Sequence, residues 1–212
     1  MNETLQQLHD IGLVPVVKIN DAANAVPLAK ALVAGGLPAA EITFRTTAAA
    51  ESIRAIAEAC PEVVVGAGTV LTTKQVDEAV AAGAQFIVSP GFNPKVVDYC
   101  LAHDILMAPG ISDASGVEQC LERGLEVVKF FPAEQAGGLP YIKALAGPYA
   151  DVRFMPTGGI SPANLVSYLS CPAVFCCGGT WMVKEDLIDE GRFDEVERLC
   201  REAVELMKDV RG

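Results

Sequence analysis

The sequence contains little of the side-chain chemistry on which metal binding, nucleic-acid binding and membrane insertion depend. Only two histidines occur, His9 and His103, and neither has a carboxylate at the spacing of a metal site. Lysine and arginine number 16 against 27 aspartates and glutamates, and the net charge of −11 argues against nucleic acid or an anionic membrane as a partner. No apolar run reaches about 18 residues, the length that suggests a transmembrane helix. We therefore expect no metal or other cofactor, no nucleic acid and no membrane partner.

Signals for secretion and for disulfide bonds are also missing. The first residues, from Met1 to Leu5, lack the basic and apolar segments of a signal peptide. The seven cysteines are odd in number and none has CxxC spacing, which favours reduced thiols over a disulfide framework. These features predict a cytoplasmic location. Aromatic residues make up only 6% of the chain, so aliphatic side chains must fill the core.

What the sequence does contain is a regular alternation of apolar and helical segments. Its 212 residues are enough for one domain, which we place at 1–212. Eight short apolar segments, rich in β-branched residues, are each followed by a turn and most by helical periodicity. These predicted strands cover 13–19, 40–45, 63–69, 86–90, 105–109, 126–133, 152–157 and 174–177.

Alternation of strands with helices predicts parallel strand pairing. Eight such units predict an α/β fold, namely a single (β/α)8 TIM barrel, with an extra N-terminal helix at about residues 3–11. An open, doubly wound sheet is the alternative. The first predicted strand is not followed by GxGxxG, which weighs against that alternative.

A single lysine interrupts the sixth predicted strand, whose other central residues are apolar. Lys129 follows Val127-Val128 and precedes Phe130-Phe131. Removing an ammonium group from water favours its neutral amine form, and a free amine can attack carbonyl carbons to form a Schiff base. The alternative is a lysine at a strand end whose ammonium group extends to water.

Other polar side chains are expected at the same end of the barrel. Side chains two residues apart share a strand face, which would bring Glu41, Arg45 and Thr69 towards Lys129. A carboxylate near an amine-bound substrate can transfer protons, although Glu41 could instead form a structural ion pair with Arg45 or Lys129. Lys18, at the end of the first predicted strand, is a rival amine. It is more exposed by position and could instead help to hold an anion.

Two glycine pairs lie where this fold commonly binds phosphate. Gly158-Gly159 follows Thr157 after the seventh predicted strand, and Gly178-Gly179 precedes Thr180 after the eighth. Unobstructed backbone N–H groups in these two loops can approach an anion. Either pair alone could simply form a turn, but both together favour a phosphorylated substrate.

Several motifs, in order along nearly the whole chain, resemble the class I 2-keto-3-deoxy-6-phosphogluconate aldolases, also called 4-hydroxy-2-oxoglutarate aldolases. The motifs are Glu41-Ile42-Thr43-Phe44-Arg45, Gly66-Ala67-Gly68-Thr69-Val70, Ser89-Pro90-Gly91, Pro109-Gly110, Lys129-Phe130-Phe131-Pro132-Ala133-Glu134 and Pro156-Thr157-Gly158-Gly159-Ile160. The resemblance implies a metal-independent (β/α)8 barrel, usually a homotrimer. It also implies cleavage of the phosphorylated keto acid to pyruvate and glyceraldehyde 3-phosphate in the Entner–Doudoroff pathway.

The resemblance also implies roles for individual residues. Lys129 would form the Schiff base and Glu41 would be the general acid and base. The binding residues would be Arg45 and Thr69 for the pyruvate carboxylate, Pro90 and Phe131 for the shape of the pocket, Thr157 for sugar hydroxyls, and Gly158, Gly159, Gly179 and Thr180 for phosphate. The family commonly has serine where this chain has Thr180, and the hydroxyl group is retained.

Two other classes of function share some of these features. A phosphate-binding TIM-barrel isomerase or synthase would have the same glycine loops but would form no imine. A non-catalytic binding barrel would show affinity for a ligand without cleaving a carbon–carbon bond. Trapping of a covalent imine on Lys129 separates the aldolase from both.

Overall fold

The computed structural model describes residues 2–211, with the backbone alone for Arg211. The strands are β1 (Leu13–Val17), β2 (Ala39–Thr43), β3 (Val64–Gly68), β4 (Ile87–Val88), β5 (Met107–Ala108), β6 (Gly110–Ile111), β7 (Val127–Phe130), β8 (Arg153–Pro156) and β9 (Cys177–Gly179). The α-helices are α1 (Glu3–Ile11), α2 (Ala25–Ala34), α3 (Ala49–Ala59), α4 (Thr73–Ala81), α5 (Pro94–Ala102), α6 (Ala114–Glu122), α7 (Gly138–Ala146), α8 (Leu165–Leu169), α9 (Glu185–Asp189) and α10 (Phe193–Arg211), and a 3-10 helix covers Ala22–Asn24.

Several helices begin at a polar residue that caps the first turn. The side chain of Thr72 accepts a hydrogen bond from the backbone N–H of Gln75, and Asp113 accepts one from Gly116. Asn93 caps α5 in the same way, and proline occupies the first helical position there, where no N–H partner is needed. These caps fix where the chain turns from a strand or loop into a helix.

All strand pairs are parallel, as the alternation of strands and helices predicts. A six-stranded sheet has the order β5-β4-β3-β2-β1-β9, and a three-stranded sheet has the order β6-β7-β8. Two isolated parallel bridges, Phe154 with Val174 and Thr157 with Gly178, join the β8 side of the second sheet to the β9 side of the first.

The fifth predicted strand is divided in two, so residues 2–211 contain nine strands where eight were predicted. Pro109 separates β5 from β6. Proline has no backbone N–H to donate to a neighbouring strand. Its carbonyl still accepts a hydrogen bond from the N–H of Lys129, at 2.9 Å. The proline therefore lies between β5 and β6 and interrupts the ladder of backbone hydrogen bonds.

The last strand begins later than predicted, at Cys177 instead of Val174. Both glycines of the second pair consequently lie within β9 and not in a loop after it. The absence of a side chain is required at Gly178, because a β-carbon would lie 2.3 Å from the hydroxyl oxygen of Thr157. Glycine is uncommon within strands, which is why the prediction placed the strand end too early.

Alternate side chains of the strands enter two separate apolar clusters. Val17 of β1 belongs to the larger cluster, together with Leu28 of α2. Val14 belongs to the smaller one, together with Phe86 and with Leu8 from α1. The N-terminal helix α1 thus contributes its one fully buried side chain to the smaller cluster.

None of the helices within residues 2–211 combines the length and apolarity needed to cross a membrane.

Candidate active site

The carboxyl ends of the strands enclose a cavity of about 260 Å³. Ten of the eleven residues predicted for the site line it: Glu41, Arg45, Thr69, Pro90, Lys129, Phe131, Thr157, Gly158, Gly159 and Thr180. The eleventh, Gly179, is not among the lining residues. Its missing β-carbon points towards Trp181, whose ring lies 2.4 Å from that position.

Four further residues line the cavity without having been predicted, namely Val16, Thr43, Ile160 and Gly178. The two-residue periodicity of strands was enough to find two of them, because Val16 and Thr43 share faces with Lys18 and Glu41. Gly178 was noted as part of the second glycine pair, but the family resemblance implied a phosphate-binding role for Gly179 instead.

The most buried charges of the cavity are Lys129 from β7 and Glu41 from β2. The Nζ atom of Lys129 lies 2.9 Å from Oε1 of Glu41. Lys129 is only 5% exposed and Glu41 is fully buried, so the alternative of a lysine extending to water is wrong. The ring of Phe131 also lies beside the amine, with its centroid 5.4 Å from Nζ. The predicted structural ion pair is therefore present, and it lies in the wall of the cavity.

Two buried oxygen atoms of the cavity wall have no hydrogen-bond partner among residues 2–211. They are Oε2 of Glu41 and the hydroxyl oxygen of Thr157, a residue that is 4% exposed. Buried polar atoms are normally paired, and leaving one unpaired costs about 1–3 kcal/mol. Such atoms in a cavity wall are ready to bind a polar ligand.

Two glycines provide the space in which these oxygen atoms lie. A β-carbon on Gly68 would be 2.2 Å from Oε1 of Glu41, and one on Gly178 would be 2.3 Å from the hydroxyl of Thr157. Both glycines belong to strands, and neither has a positive φ. Their role here is therefore to leave room for a neighbour and not to make a turn.

Arg45 extends from the end of β2 and is exposed at the mouth of the cavity. Its Nε donates to the hydroxyl of Thr43 at 3.0 Å, and that hydroxyl donates to the carbonyl of Val17 at 2.7 Å. Thr43 thus connects Arg45 to β1. Arg45 has no ion-pair partner within residues 2–211, so its guanidinium charge is available to an anion.

Thr69 has an unusual backbone conformation immediately after β3, with φ of 56°. This left-handed conformation is rare for a β-branched residue, and such residues typically cost about 1–3 kcal/mol. Thr69 lines the cavity together with Glu41, Arg45 and Lys129. Strain at a residue in a cavity wall is a common feature of functional sites.

Lys18 lies outside the cavity lining, contrary to the suggestion that it could help to hold an anion. Its Nζ lies 2.5 Å from Oε1 of Glu185 in α9, and Asn20 donates to the same oxygen at 2.8 Å. These two hydrogen bonds lower the pKa of Glu185, and the charge of Arg45 lowers it further. Glu185 therefore lies within the electrostatic reach of both Lys18 and Arg45.

Across residues 2–211, no three histidine, cysteine, aspartate or glutamate side chains are grouped so as to hold a metal ion.

A buried amine next to a carboxylate, at the carboxyl end of a parallel α/β fold, defines a class of enzymes that act on small carbonyl compounds. Residues 4–199 match the family described as "KDPG and KHG aldolase". The chain belongs to this aldolase family, so the family resemblance of its motifs is confirmed.

Individual relatives cover almost the whole chain. A 2-dehydro-3-deoxy-phosphogluconate aldolase of Treponema pallidum is 50% identical over 202 residues, which are 95% of this chain and 96% of the relative. A KHG/KDPG aldolase of Escherichia coli strain K12 is 48% identical over 193 residues, 91% of each chain.

Among solved structures, a KDPG aldolase from Legionella pneumophila superimposes with a TM-score of 0.90 at 36% identity, covering 94% of this chain and 97% of that one. That structure contains pyruvate captured at low pH as a covalent carbinolamine intermediate.

Proposed function

We propose that this chain is a class I, Schiff-base aldolase that cleaves 2-dehydro-3-deoxy-6-phosphogluconate to pyruvate and glyceraldehyde 3-phosphate. The same site would cleave 4-hydroxy-2-oxoglutarate to pyruvate and glyoxylate. The observation that carries the proposal is the buried Lys129 amine in the cavity wall, 2.9 Å from a carboxylate oxygen. The names of the relatives and the pyruvate adduct in the Legionella structure support the same chemistry.

In the proposed mechanism Lys129 attacks the C2 carbonyl of the substrate. Proton transfer through Glu41 allows the carbinolamine to lose water and form an iminium ion. The iminium accepts the electron pair of the C3–C4 bond as that bond breaks, while Glu41 takes the proton of the C4 hydroxyl and the aldehyde leaves. The resulting enamine gains a proton at C3, and water then releases pyruvate and the free amine.

Other residues of the cavity would hold the ends of the substrate. Arg45 and Thr69 would bind the carboxylate, since Arg45 has an unpaired charge at the mouth. Pro90 and Phe131 would shape the pocket. Thr157 has an unpartnered buried hydroxyl that can bind a sugar hydroxyl. The backbone of Gly158, Gly159 and Gly179 and the hydroxyl of Thr180 would hold the phosphate.

We also propose that the strands close into an eight-stranded barrel within one domain, 1–212. The strand order β5-β4-β3-β2-β1-β9 contains no reversal of the kind found in doubly wound sheets, which supports the barrel. The two isolated bridges near β8 and β9 would join the two sheets at one junction. At the other junction, β5 and β6 would act as one strand interrupted by Pro109.

The assembly and location are proposals as well. We propose a cytoplasmic homotrimer. Five of the seven cysteines, Cys60, Cys100, Cys120, Cys171 and Cys200, are in no disulfide bond, which fits a reducing compartment. Large apolar side chains exposed on the single chain, including Leu71 and Val80, are consistent with burial between subunits. One structural neighbour, 26% identical, is described as a cage made by fusing symmetric oligomeric domains.

Reductive trapping tests the mechanism directly. Incubation with pyruvate and borohydride should leave one reduced pyruvate on Lys129, identified by peptide mass spectrometry. At saturating pyruvate the Lys18→Met variant should be modified to the same extent, and a chelator should change neither trapping nor turnover. A wholly unmodified protein would contradict the proposal and favour a phosphate-binding enzyme that forms no imine. Modification confined to Lys18 would contradict the assignment of the Schiff base to Lys129.

A further inference from the structure

The loop that contains Gly158 and Gly159 is supported from behind by a residue outside the cavity. The backbone N–H of Glu134 donates to the carbonyl of Gly158 at 3.1 Å. The preceding residue, Ala133, donates to the carbonyl of Thr157 at 2.8 Å. The segment that follows β7 therefore pairs with the segment that follows β8, at the edge of the cavity.

The side chain of Glu134 packs directly against Gly159. A β-carbon on Gly159 would lie 2.5 Å from Cγ and 2.7 Å from Cβ of Glu134. Gly159 also has φ of 82°, and Gly158 has φ of 97°, which are conformations suited to glycine. Because the two residues touch without a side chain between them, the position of Glu134 determines the position of the loop backbone.

The hydroxyl of Tyr168 holds the other end of this side chain by donating to Oε1 of Glu134. Tyr168 belongs to α8 and is 1% exposed, so its ring is fixed by packing. Burial, followed by the hydrogen bond to Glu134, raises the pKa of Tyr168, which keeps the hydroxyl protonated as a donor. The carboxylate is thus fixed to a rigid element.

The segment that immediately precedes α8 contacts the glycine loop from its other side. The side-chain amide of Asn164 donates to the carbonyl of Gly159 at 3.0 Å, and its oxygen accepts from the N–H of Ser161 at 2.8 Å. The glycine loop therefore lies between Asn164 and Glu134, and Tyr168 connects Glu134 to the helix that Asn164 precedes.

We propose that Tyr168 is a positioning residue for phosphate binding, which acts through Glu134 on the backbone of Gly158 and Gly159. Neither Tyr168 nor Glu134 lines the cavity. The inference rests on the proposed function for the identity of the substrates. It adds that the preference for a phosphorylated substrate depends on this tyrosine–glutamate hydrogen bond.

The effect is selective because different strands hold the Lys129–Glu41 pair and the glycine loop. Lys129 and Glu41 are held by β7 and β2, whereas the glycine loop follows β8. Loss of the hydroxyl would release the loop while leaving the amine and carboxylate in place. A phosphorylated substrate would lose affinity, and 4-hydroxy-2-oxoglutarate, which has no phosphate, would not.

The Tyr168→Phe variant tests this with two substrates. Loss of a hydrogen bond to a charged group should raise KM for 2-dehydro-3-deoxy-6-phosphogluconate roughly tenfold. KM for 4-hydroxy-2-oxoglutarate and kcat for both substrates should stay within about twofold of the wild type, a spread typical of substitutions outside any special feature. The matched control is Tyr149→Phe, which removes another tyrosine–glutamate hydrogen bond, to Glu118 at 2.8 Å. Tyr149 precedes β8, whereas the glycine loop follows it.

Equal losses for both substrates, or no change for either, would overturn the proposal. If Tyr168→Phe does not fold, substitutions of its exposed partner, Glu134, provide the same test. Glu134→Ala should reproduce the selective rise in KM, whereas Glu134→Gln keeps an acceptor oxygen and should bind the phosphorylated substrate at least as well as the wild type.

Binding of inorganic phosphate separates this inference from the proposed reaction. Calorimetry should show weaker phosphate binding in Tyr168→Phe, with pyruvate trapping on Lys129 unchanged. If the wild type cleaves neither substrate, the aldolase proposal fails while the phosphate measurement still tests the role of Tyr168. Phosphate binding that is unaffected by the substitution would refute that role.

Discussion

At the scale of single residues, the position of the Glu41 carboxylate depends on a neighbour that has no side chain. Oε1 of Glu41 occupies the space that a β-carbon on Gly68 would need, at a separation of 2.2 Å. Real β-carbons do not approach an oxygen this closely, so any side chain at position 68 must displace the carboxylate or the strand. The glycine therefore contributes to the geometry of the Lys129–Glu41 pair.

The Gly68→Ala variant should keep the fold and lose activity. Gly68 lies in a strand without a positive φ, so the alanine backbone is acceptable there. Its methyl group should push Glu41 away from Lys129. We expect kcat to fall at least about 100-fold, the lower end of the usual contribution of a general acid–base group. Steady-state kinetics, with circular dichroism to verify folding, measures this.

Gly91→Ala is the matched control, because a β-carbon there would meet nothing within 4 Å. It should leave kcat within about twofold of the wild type, as expected for a substitution that touches nothing. Near-normal turnover of Gly68→Ala would show that Glu41 is not needed in its observed position.

Sequence patterns located the paired Lys129 and Glu41 of the cavity wall better than their surroundings. Lys129 stood out because it interrupts an apolar strand, and Glu41 because strand alternation placed it on a face with Arg45. The conformation of Thr69 could not be predicted, since a β-branched residue normally avoids positive φ. The role of Gly68 depends on a contact across two strands, which local patterns do not contain.

At the scale of secondary-structure elements, one ion pair joins the end of β1 to α9 beside the cavity. Lys18 and Asn20 both donate to Glu185, and Asn20 also donates to Asp189 at 2.9 Å. Glu185 thus has two hydrogen-bond donors of its own while it lies within the electrostatic reach of Arg45. We expect these contacts to keep the carboxylate from competing with a substrate for the arginine.

Removal of Lys18 should weaken the binding of keto acids through Glu185. In Lys18→Met, the freed carboxylate would be attracted to Arg45. The half-saturating pyruvate concentration for reductive trapping should rise about two- to fivefold, the size of an exposed charge interaction. The Lys18→Met/Glu185→Gln double variant should restore the wild-type value, because no carboxylate remains to compete.

Lys74→Met controls for the loss of one positive charge, since Lys74 pairs with Glu78 on an exposed helix surface. It should leave trapping unchanged. If Lys18→Met/Glu185→Gln needs as much pyruvate for half-saturation as Lys18→Met, then Lys18 attracts the substrate itself or merely holds α9 in place.

The elements themselves were predictable in kind and order, but not at their ends. Apolar runs located the strands and polar caps such as Asp113 located helix starts. The strand boundaries near Pro109 and Gly178 were predicted wrongly, for opposite reasons. The proline breaks the ladder within a predicted strand, and the glycine continues a strand where a turn was expected, because Thr157 needs its space.

At the scale of the whole molecule, the pKa values of the cysteine thiols depend on how completely the core excludes water. All seven are buried. Burial raises the pKa of Cys100 to about 11 and that of Cys120 and Cys200 to about 12, from an ordinary value of 9.0. The protonated thiols pack in the larger apolar cluster as small hydrophobic side chains.

These raised pKa values predict a loss of stability in alkaline solution. The unfolded chain releases the thiol protons near pH 9, whereas the folded chain keeps them until about pH 11 to 12, so alkaline pH favours unfolding. The stabilisation is complete below about pH 9. Above it, each thiol contributes up to about 1.4 kcal/mol per pH unit to the decline. Urea unfolding at pH 8 and at pH 10 measures the slope.

A variant with alanine at all three positions isolates the contribution of the thiols. Its absolute stability will be lower because three sulfur atoms leave the core, but its decline between pH 8 and pH 10 should be shallower than that of the wild type. Folded wild-type protein should also resist iodoacetamide at pH 8 and react at these positions only in denaturant. An equal pH slope in the two proteins would show that these thiols titrate normally in the folded chain, and that the core admits water.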